Sequence, residues 1–445
     1  MKESTRAYAE EAYGIVCHAA KKIGSRLPGS AGEKTFASFM GEKLRALGID
    51  PVTEEFSVAP RAAIGGVPYA GWAGLIISVC AYFALQHSAL WFAMAAFGLI
   101  TTFWLIFGCF LYHPWFDRFF PQKLSQNVYG AITPTDGKYD YTIILSGHTD
   151  TSWCWRHSAD SYKDRDNPVP GMVKIYLRVG FGAVCFFFMV IVSVLMSALY
   201  LGNVLHAPWA TYILNSPEYV RFLIAMHFLP AVTAVGCCFV IQWNDPREEN
   251  ASRGAMDNAT GCALSYEVLR YYKEHPDLLP KNCRIVDLNI GSEESGLRGS
   301  MAFAREHKND DLMRHIWHIN IDSIADEEHF NVIVKDDWQG CRFDKDLEEM
   351  FLEAFRELGM HSKEGGSMHN PVGGCDSTPM TRAGTKSVTF AAQNPTLTYY
   401  YHTWYDMPER FTAEPLGDGF DVVLKVIEKI AAFQEEKGYP GFRKK

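Results

Sequence analysis

Gly291-Ser292-Glu293-Glu294-Ser295-Gly296 sets two carboxylates side by side, directly after an apolar, β-rich run at 283–290. Such a run reads as a buried strand. In open α/β sheets, ligands bind where strands end. Adjacent side chains point in different directions there, so Glu294 can ligate a metal while Glu293 faces a water. Other ionisable residues share this placement. His148 and Asp150 follow a strand expected at 139–145, and Asp257 lies at the start of a helix expected over 256–273. Asp322 ends a strand expected at 315–321, and His402 lies in a loop at 399–406. Two imidazoles and several carboxylates can hold two divalent ions with one carboxylate bridging; zinc suits that donor set, and cobalt and manganese are compatible. Each residue alone reads equally as a solvated acid at a turn or helix start, where the helix dipole favours it. Their common placement points to a metal centre.

The elements that must position these residues follow from periodicity. Residues 5–48 read as two amphipathic helices broken by a turn at 26–30. Strands are expected at 51–58, 126–133, 139–145, 283–290, 315–321, 330–335 and 386–391, with the second and third joined by a turn at 134–137. Helices are expected at 256–273, 297–307, 345–358 and 416–437, and a glycine-rich loop at 365–374. Alternation of strands and helices predicts a sheet covered on both faces.

The chain has 445 residues and a formal charge of −9. That balance, without a basic cluster, argues against a nucleic-acid partner. The 11 cysteines form no CxxC pair and read as buried thiols of a reducing compartment. Residues 1–22 are mixed and charged, unlike a signal peptide. No Asp, Glu, Lys or Arg occurs between Arg61 and Asp117, between Arg178 and Glu218, or between Arg221 and Asp245. These gaps hold four candidate membrane spans near 69–85, 90–111, 179–201 and 222–241, with Trp72, Trp91, Trp115, Trp209 and Trp243 near their ends. A very apolar soluble core is the alternative. Both hairpins begin and end in polar sequence, which puts all polar parts on one side. Arg61, Arg118, Lys123, Lys174, Arg178 and Arg247 lie on that side and only Arg221 on the other, which predicts a cytoplasmic location.

In sum these residues resemble the zinc aminopeptidase family M28, the peptidases with co-catalytic zinc. Gly147-His148-Thr149-Asp150 is similar to its His-x-Asp motif, and Asp257-Asn258-Ala259-Thr260-Gly261 to its bridging-aspartate turn. Glu293-Glu294-Ser295-Gly296-Leu297-Arg298-Gly299-Ser300 is similar to its Glu-Glu motif. Asn320-Ile321-Asp322 and Tyr401-His402-Thr403 stand where it has its last two ligands, and Gly24-Ser25-Arg26-Leu27-Pro28-Gly29-Ser30 resembles its N-terminal segment. The resemblance covers nearly all the polar sequence. It implies that His148 and Asp322 hold one zinc, Glu294 and His402 the other, and that Asp257 bridges them. It further implies that Asp150 fixes the His148 ring and that Glu293 is the general base, with a cis bond between Asp257 and Asn258. Two features depart from the family: Ser377 stands where Ser-Asp-His members carry histidine, and the four spans are absent from common soluble members.

The expected fold is α/β, a mixed β-sheet sandwiched by helices as in zinc exopeptidases, with four inserted transmembrane helices. The peptidase part would comprise 1–66, 117–172 (His-x-Asp) and 244–445 (the remaining ligands and base), and the two hairpins 67–116 and 173–243. The expected function is hydrolysis of N-terminal residues from peptides by a membrane-anchored enzyme with two zinc ions. A metal-poor or single-zinc relative, acting as a binding module or glutaminyl cyclase, is the alternative. Transport is disfavoured because the spans lack the charges that mark ion paths. The remaining polar residues read more plainly. His227 and Pro230 are a packed histidine and a kink, and His113 and His157 are interfacial. His369 is a candidate substrate contact, and Tyr399, Tyr400 and Tyr401 line a pocket or form a half-buried strand.

Overall fold

The computed structural model describes residues 3–309, 313 and 315–437. The apolar runs become β1 (Val52–Val58), β2 (Lys123–Ile132), β3 (Tyr141–His148), β4 (Cys283–Ile290), β5 (Ile316–Ile324), β6 (Phe330–Asp336), β7 (Cys341–Arg342), β8 (Ser367–Asn370) and β9 (Lys386–Ala392). They form one sheet of nine strands, in the order β1-β2-β4-β3-β5-β9-β6-β7 with β8 beside β6. The central strands β4, β3, β5 and β9 are parallel, and antiparallel strands flank them. Every residue of β3 and β4 is buried, as expected of strands covered on both faces.

One expectation of the connections holds and one needs correction. The turn at 134–137 joins β2 to β3 as expected, and β4 lies between the two strands in the sheet. Alternation says which face a residue takes, not which strand fills the adjacent slot. Asp322, however, does not end its strand. β5 runs on to Ile324 through a register shift after Ile321, with Ser323 at φ +64°. The irregularity interrupts the pleat at the ligand position.

Helices Arg6–Cys17, Ala31–Ala46, Thr260–Glu274, Lys345–Glu357 and Glu414–Lys437 bury their apolar stripes in one large core on one face of the sheet. Arg298–Glu306 and Ser377–Arg382 cover the other. The helix expected from 256 is regular only from Thr260. Asp257 and Asn258 are non-helical and joined by a cis bond. A Cβ at Gly147 would stand 2.4 Å from Cys262 N, so the backbone before His148 lies directly against this helix start.

Among the described residues, three helices are long and apolar enough to cross a membrane: Ile64–Ala84, Ala89–Phe110 and Pro168–Val204. The expected fourth span is two helices, Pro217–Ala225 and Leu229–Ile241, bent by 48°. His227 lies in the break, and Pro230 opens the second piece, where its missing N–H costs nothing. The third helix begins well before its apolar run. Its first turns carry Lys174 and Arg178, paired with Asp164 and Asp160. The apolar helices share a core of their own. Small residues allow close approach there: a Cβ at Gly236 would meet Cys185 Sγ at 2.3 Å, and Ser78 and Thr233 share a hydrogen bond of 2.9 Å.

Between β5 and the thin helical layer, His318 is fully buried. Its ring nitrogens meet only the hydroxyls of Ser146 (2.8 Å) and Ser387 (3.2 Å). Burial pushes this imidazole down to about 3. Unfolded, it titrates near 6.5. Below that pH the unfolded chain binds a proton that the folded chain refuses, so stability present above pH 6.5 is lost as the pH falls toward 3. His318→Gln should therefore flatten the acid limb of thermal stability in detergent between pH 6.5 and 4.5. The difference amounts to about 2 kcal/mol at pH 5. Parallel profiles for the two proteins would remove His318 from that role.

Candidate metal centre

The parallel strands deliver the expected residues to one edge. His148 is the last residue of β3, Glu293 and Glu294 follow β4, and Asp322 sits at the irregularity of β5. Asp257 enters from the loop before Thr260–Glu274, and His402 from a turn after β9. Asp257 faces both imidazoles. Its Oδ1 is 3.0 Å from His148 Nε2, and its Oδ2 is 2.9 Å from His402 Nε2. Asp322 Oδ1 lies 3.8 Å from His148 Nε2, and Glu294 Oε1 lies 3.0 Å from His402 Nε2.

These residues form two ligand groups that share Asp257: His148, Asp257 and Asp322; and Asp257, Glu294 and His402. The fit to metal can be tested on their spacing. Zinc–ligand bonds of about 2.0–2.1 Å in a tetrahedron separate ligand atoms by roughly 3.3 Å, and the contacts above bracket that value. Glu294 Oε1 gives a second test. It is buried and close to His402 Nε2, yet makes no hydrogen bond. Two ligand atoms of one ion face each other in this way. The donor set therefore fits zinc.

The electrostatics agree. Burial works against charge on Asp257, but hydrogen bonds from His148 and His402 outweigh it and hold its carboxyl below the usual range. Burial also disfavours a charged His402, but Glu294 and Asp257 overcome it and raise the ring to about 10. A site that draws protons onto imidazole in this way draws divalent cations equally, and the two compete. Burial pushes Glu293 well above the usual carboxylate range; Glu294, Asp376 and Asp322 add to this, and His148 opposes it. Glu293 is half-exposed, whereas Glu294 is buried.

The supporting groups do more than the sequence indicated. Asp150 touches the His148 ring, with Oδ1 3.4 Å and its carbonyl oxygen 3.2 Å from Nδ1. Its carboxylate also accepts the backbone N–H groups of Glu293 and Glu294, each at 3.0 Å. One residue thus orients a ligand ring and the Glu-Glu turn together. Asp406, absent from the sequence reading, accepts the N–H groups of Met256 (2.8 Å) and Asp257 (3.0 Å). Glu33 was also missed. It is fully buried and accepts from Gly29 N, Ser125 Oγ, and the N and Oγ of Ser292. Arg26, expected only in a turn, is fully buried and donates to the carbonyls of Thr149, Gly24, Arg253 and Gly254. An acid three residues after Ser30, the N-cap of Ala31–Ala46, was the one available signal for Glu33, and it reads as a capping box.

An aromatic wall stands over His402. Tyr401 stacks on its ring at 3.8 Å between centroids, and Trp155 meets it edge-on at 4.4 Å. Trp155 in turn packs on Trp243 at 4.9 Å. Tyr399, Tyr400 and Tyr401 lie in a turn, which corrects the strand alternative. Tyr400 is buried beneath the Arg410 guanidinium. His369 is exposed and pairs with Asp337, and His157 is buried against the carbonyl of Phe239 at 2.8 Å. His113 stacks on Trp115. Ser377 bonds Thr389 inside the polar layer.

Residues 240–427 match the family model described as Peptidase family M28. Solved structures share the fold along nearly the whole chain. A zinc aminopeptidase from Bacillus subtilis is 15% identical with a TM-score of 0.52, over 95% of this chain and 94% of that one. A glutaminyl cyclase from Bacteroides thetaiotaomicron, bound to N-acetylhistamine, is 13% identical with a TM-score of 0.51, over 94% and 97%. A Zn-dependent exopeptidase from Parabacteroides distasonis is 14% identical with a TM-score of 0.50, over 94% and 97%. No curated protein sequence matches the chain.

Outer partners of metal ligands typically contribute 10–100-fold to metal affinity. Asp406→Asn keeps the size of the side chain but can turn an amide toward the Met256 and Asp257 N–H groups. Its zinc affinity, read by competition with a chromogenic chelator, should fall about 10–100-fold. Unchanged affinity would mean that Asp257 is held in place without Asp406.

Proposed function

We propose, from the match of residues 240–427 to the model of peptidase family M28, that the chain is a membrane-anchored aminopeptidase of that family working with two zinc ions. The presence of both ligand groups around one shared carboxylate carries this reading. It also favours hydrolysis over the single-zinc alternative, which needs only one group. Bound there, zinc would polarise the scissile carbonyl and make water a stronger acid. The remaining chemistry belongs to the chain. Glu293 stands half-exposed beside the ligands, in surroundings that raise its proton affinity. It takes a proton from the attacking water and delivers it to the departing amine. Asp150 keeps Glu293 and Glu294 in register with His148 through the contacts described above. Tyr401 and Trp155 shield the His402 side from water.

The four apolar segments are read as spans, with the catalytic part in the cytoplasm by the distribution of Arg and Lys around them. The metal-bearing edge is read as turned toward the bilayer. Contacts between the apolar helices and the site support this. Cys109, in the last turn of the second span, donates to the carbonyl of Ala63, and Ala63 packs on Leu297 beside the Glu-Glu turn. The segment after Asp150 pairs with the exit of the fourth span through Trp155 and Asn244. The substrates that fit are short peptides or N-termini near the membrane surface.

Glu293→Gln should keep its metal while turnover of aminoacyl substrates falls by two or more orders of magnitude; near-normal turnover would end its assignment as base. Elemental analysis should find two zinc ions per chain, about one after His148→Ala or His402→Ala, and fewer than one after Asp257→Ala. A glutamine-initiated peptide should be hydrolysed rather than cyclised, and mass spectrometry of the products separates the two outcomes.

A further inference from the structure

Tyr112 leaves the second apolar helix, Ala89–Phe110, and enters the catalytic half of the molecule. It is 7% exposed and has φ +57°, which an L-residue adopts only when its surroundings hold it there. Those surroundings are visible. Arg298 donates to the Tyr112 carbonyl at 2.7 Å and clamps Asp117 through two bonds of 2.7 and 2.9 Å. Gln339 Nε2 donates to the Phe110 carbonyl at 2.9 Å. The ring packs with Ala63 and Leu297 and lies flat against Gly296, where a Cβ would come within 3.0 Å of it. The insert is therefore fastened to the turn that carries Glu293 and Glu294.

The end of the ring is different. Its hydroxyl makes no hydrogen bond among the described residues, yet it is not one of the sealed, unpartnered polar atoms. It stands over Gly373, 3.2 Å from where a Cβ would be. The Tyr112 ring lies on the Glu-Glu turn at Gly296 and Leu297, whereas Tyr401 stacks on the ring of His402. Tyr401 therefore borders the ligand cluster at His402, and Tyr112 stands at the Gly296 end of the Glu-Glu turn, with its hydroxyl toward Gly373. The side of the general base away from the metal ligands is where the departing amine and the peptide beyond it must lie. Burial, with Glu293, Glu294 and Asp336 adding to it, pushes the phenol further up, so it stays protonated and is a donor.

We propose that Tyr112, supplied by the first apolar hairpin, is a specificity-determining residue whose hydroxyl donates a hydrogen bond to a backbone carbonyl of the peptide beyond the scissile bond. The inference rests on the aminopeptidase reading and names a substrate class within it: peptides with at least one peptide carbonyl after the cleaved residue, in preference to aminoacyl anilides.

Tyr112→Phe tests it, since phenylalanine keeps the ring against Gly296 and Leu297. In the full chain in detergent, KM for a tripeptide should rise about 3–10-fold, the worth of one hydrogen bond. Its kcat, the kinetics on an aminoacyl p-nitroanilide, zinc content and melting temperature should stay as in the wild type. A binding measurement removes the dependence on turnover: calorimetry of the same tripeptide with Glu293→Gln and with Glu293→Gln/Tyr112→Phe should show Kd raised by the same factor. Equal KM and Kd in the two backgrounds would overturn the proposal. Equal losses on the tripeptide and the anilide would overturn it too, by making Tyr112 a support of the Glu-Glu turn. A wild type inactive on both substrates yet binding the tripeptide through Tyr112 would refute the hydrolytic reading alone.

Discussion

Buried negative charge is the constraint around which this molecule is built. Asp150, Asp257, Glu294, Asp376 and Asp406 are all buried within one edge of the sheet, with Asp322 and Glu293 beside them. An ionised carboxylate taken out of water costs several kcal/mol unless it is paired or hydrogen-bonded. The fold meets that cost in two ways. Outer carboxylates are given backbone N–H groups: Glu293 and Glu294 serve Asp150, Met256 and Asp257 serve Asp406, and Gly29 and Ser292 serve Glu33. Inner ones are left facing imidazoles and one another, an arrangement that only protons or divalent cations relieve.

The loop conformations follow from this. N–H groups can converge on a carboxylate only if the chain turns sharply, and Ser292 and Leu297 take positive φ on either side of the Glu-Glu pair. Gly147 permits the backbone contact that brings His148 to Asp257. The fully buried Arg26 adds a cation to the outer ring, and its donors bind four carbonyls, three of them from two distant segments. Strand ends alone would bring the candidate ligands to the same edge; these loops bring their ligand atoms within 4.8 Å of one another in each group.

The apolar helices are integral to that edge. The Asp117–Arg298 pair and the Trp155–Trp243 contact tie both hairpins to segments that adjoin candidate ligands, and Gln339 holds Phe110 from the turn between β6 and β7. Insertions in a loop normally stay at the surface. Here the segments that flank them have become walls of the site, so movement of the helices would be felt at the Glu-Glu turn.

The sequence by itself determined the candidate ligand residues, the strands that deliver them and the apolar segments. Those properties are local: hydrophobic period, absence of charge and residue type at a strand exit are all written within a dozen residues. The tertiary structure decided the rest. It placed β4 between β2 and β3, bent the fourth apolar segment at His227, carried β5 past Asp322 and recruited Glu33, Asp406 and Tyr112 to the site. Each of these depends on a partner far away in the chain; Glu33 bonds Ser292 across 259 residues. A carboxylate in a helix's first turn looks the same in sequence whether it meets water or the buried backbone of a catalytic turn, and only close packing distinguishes the two.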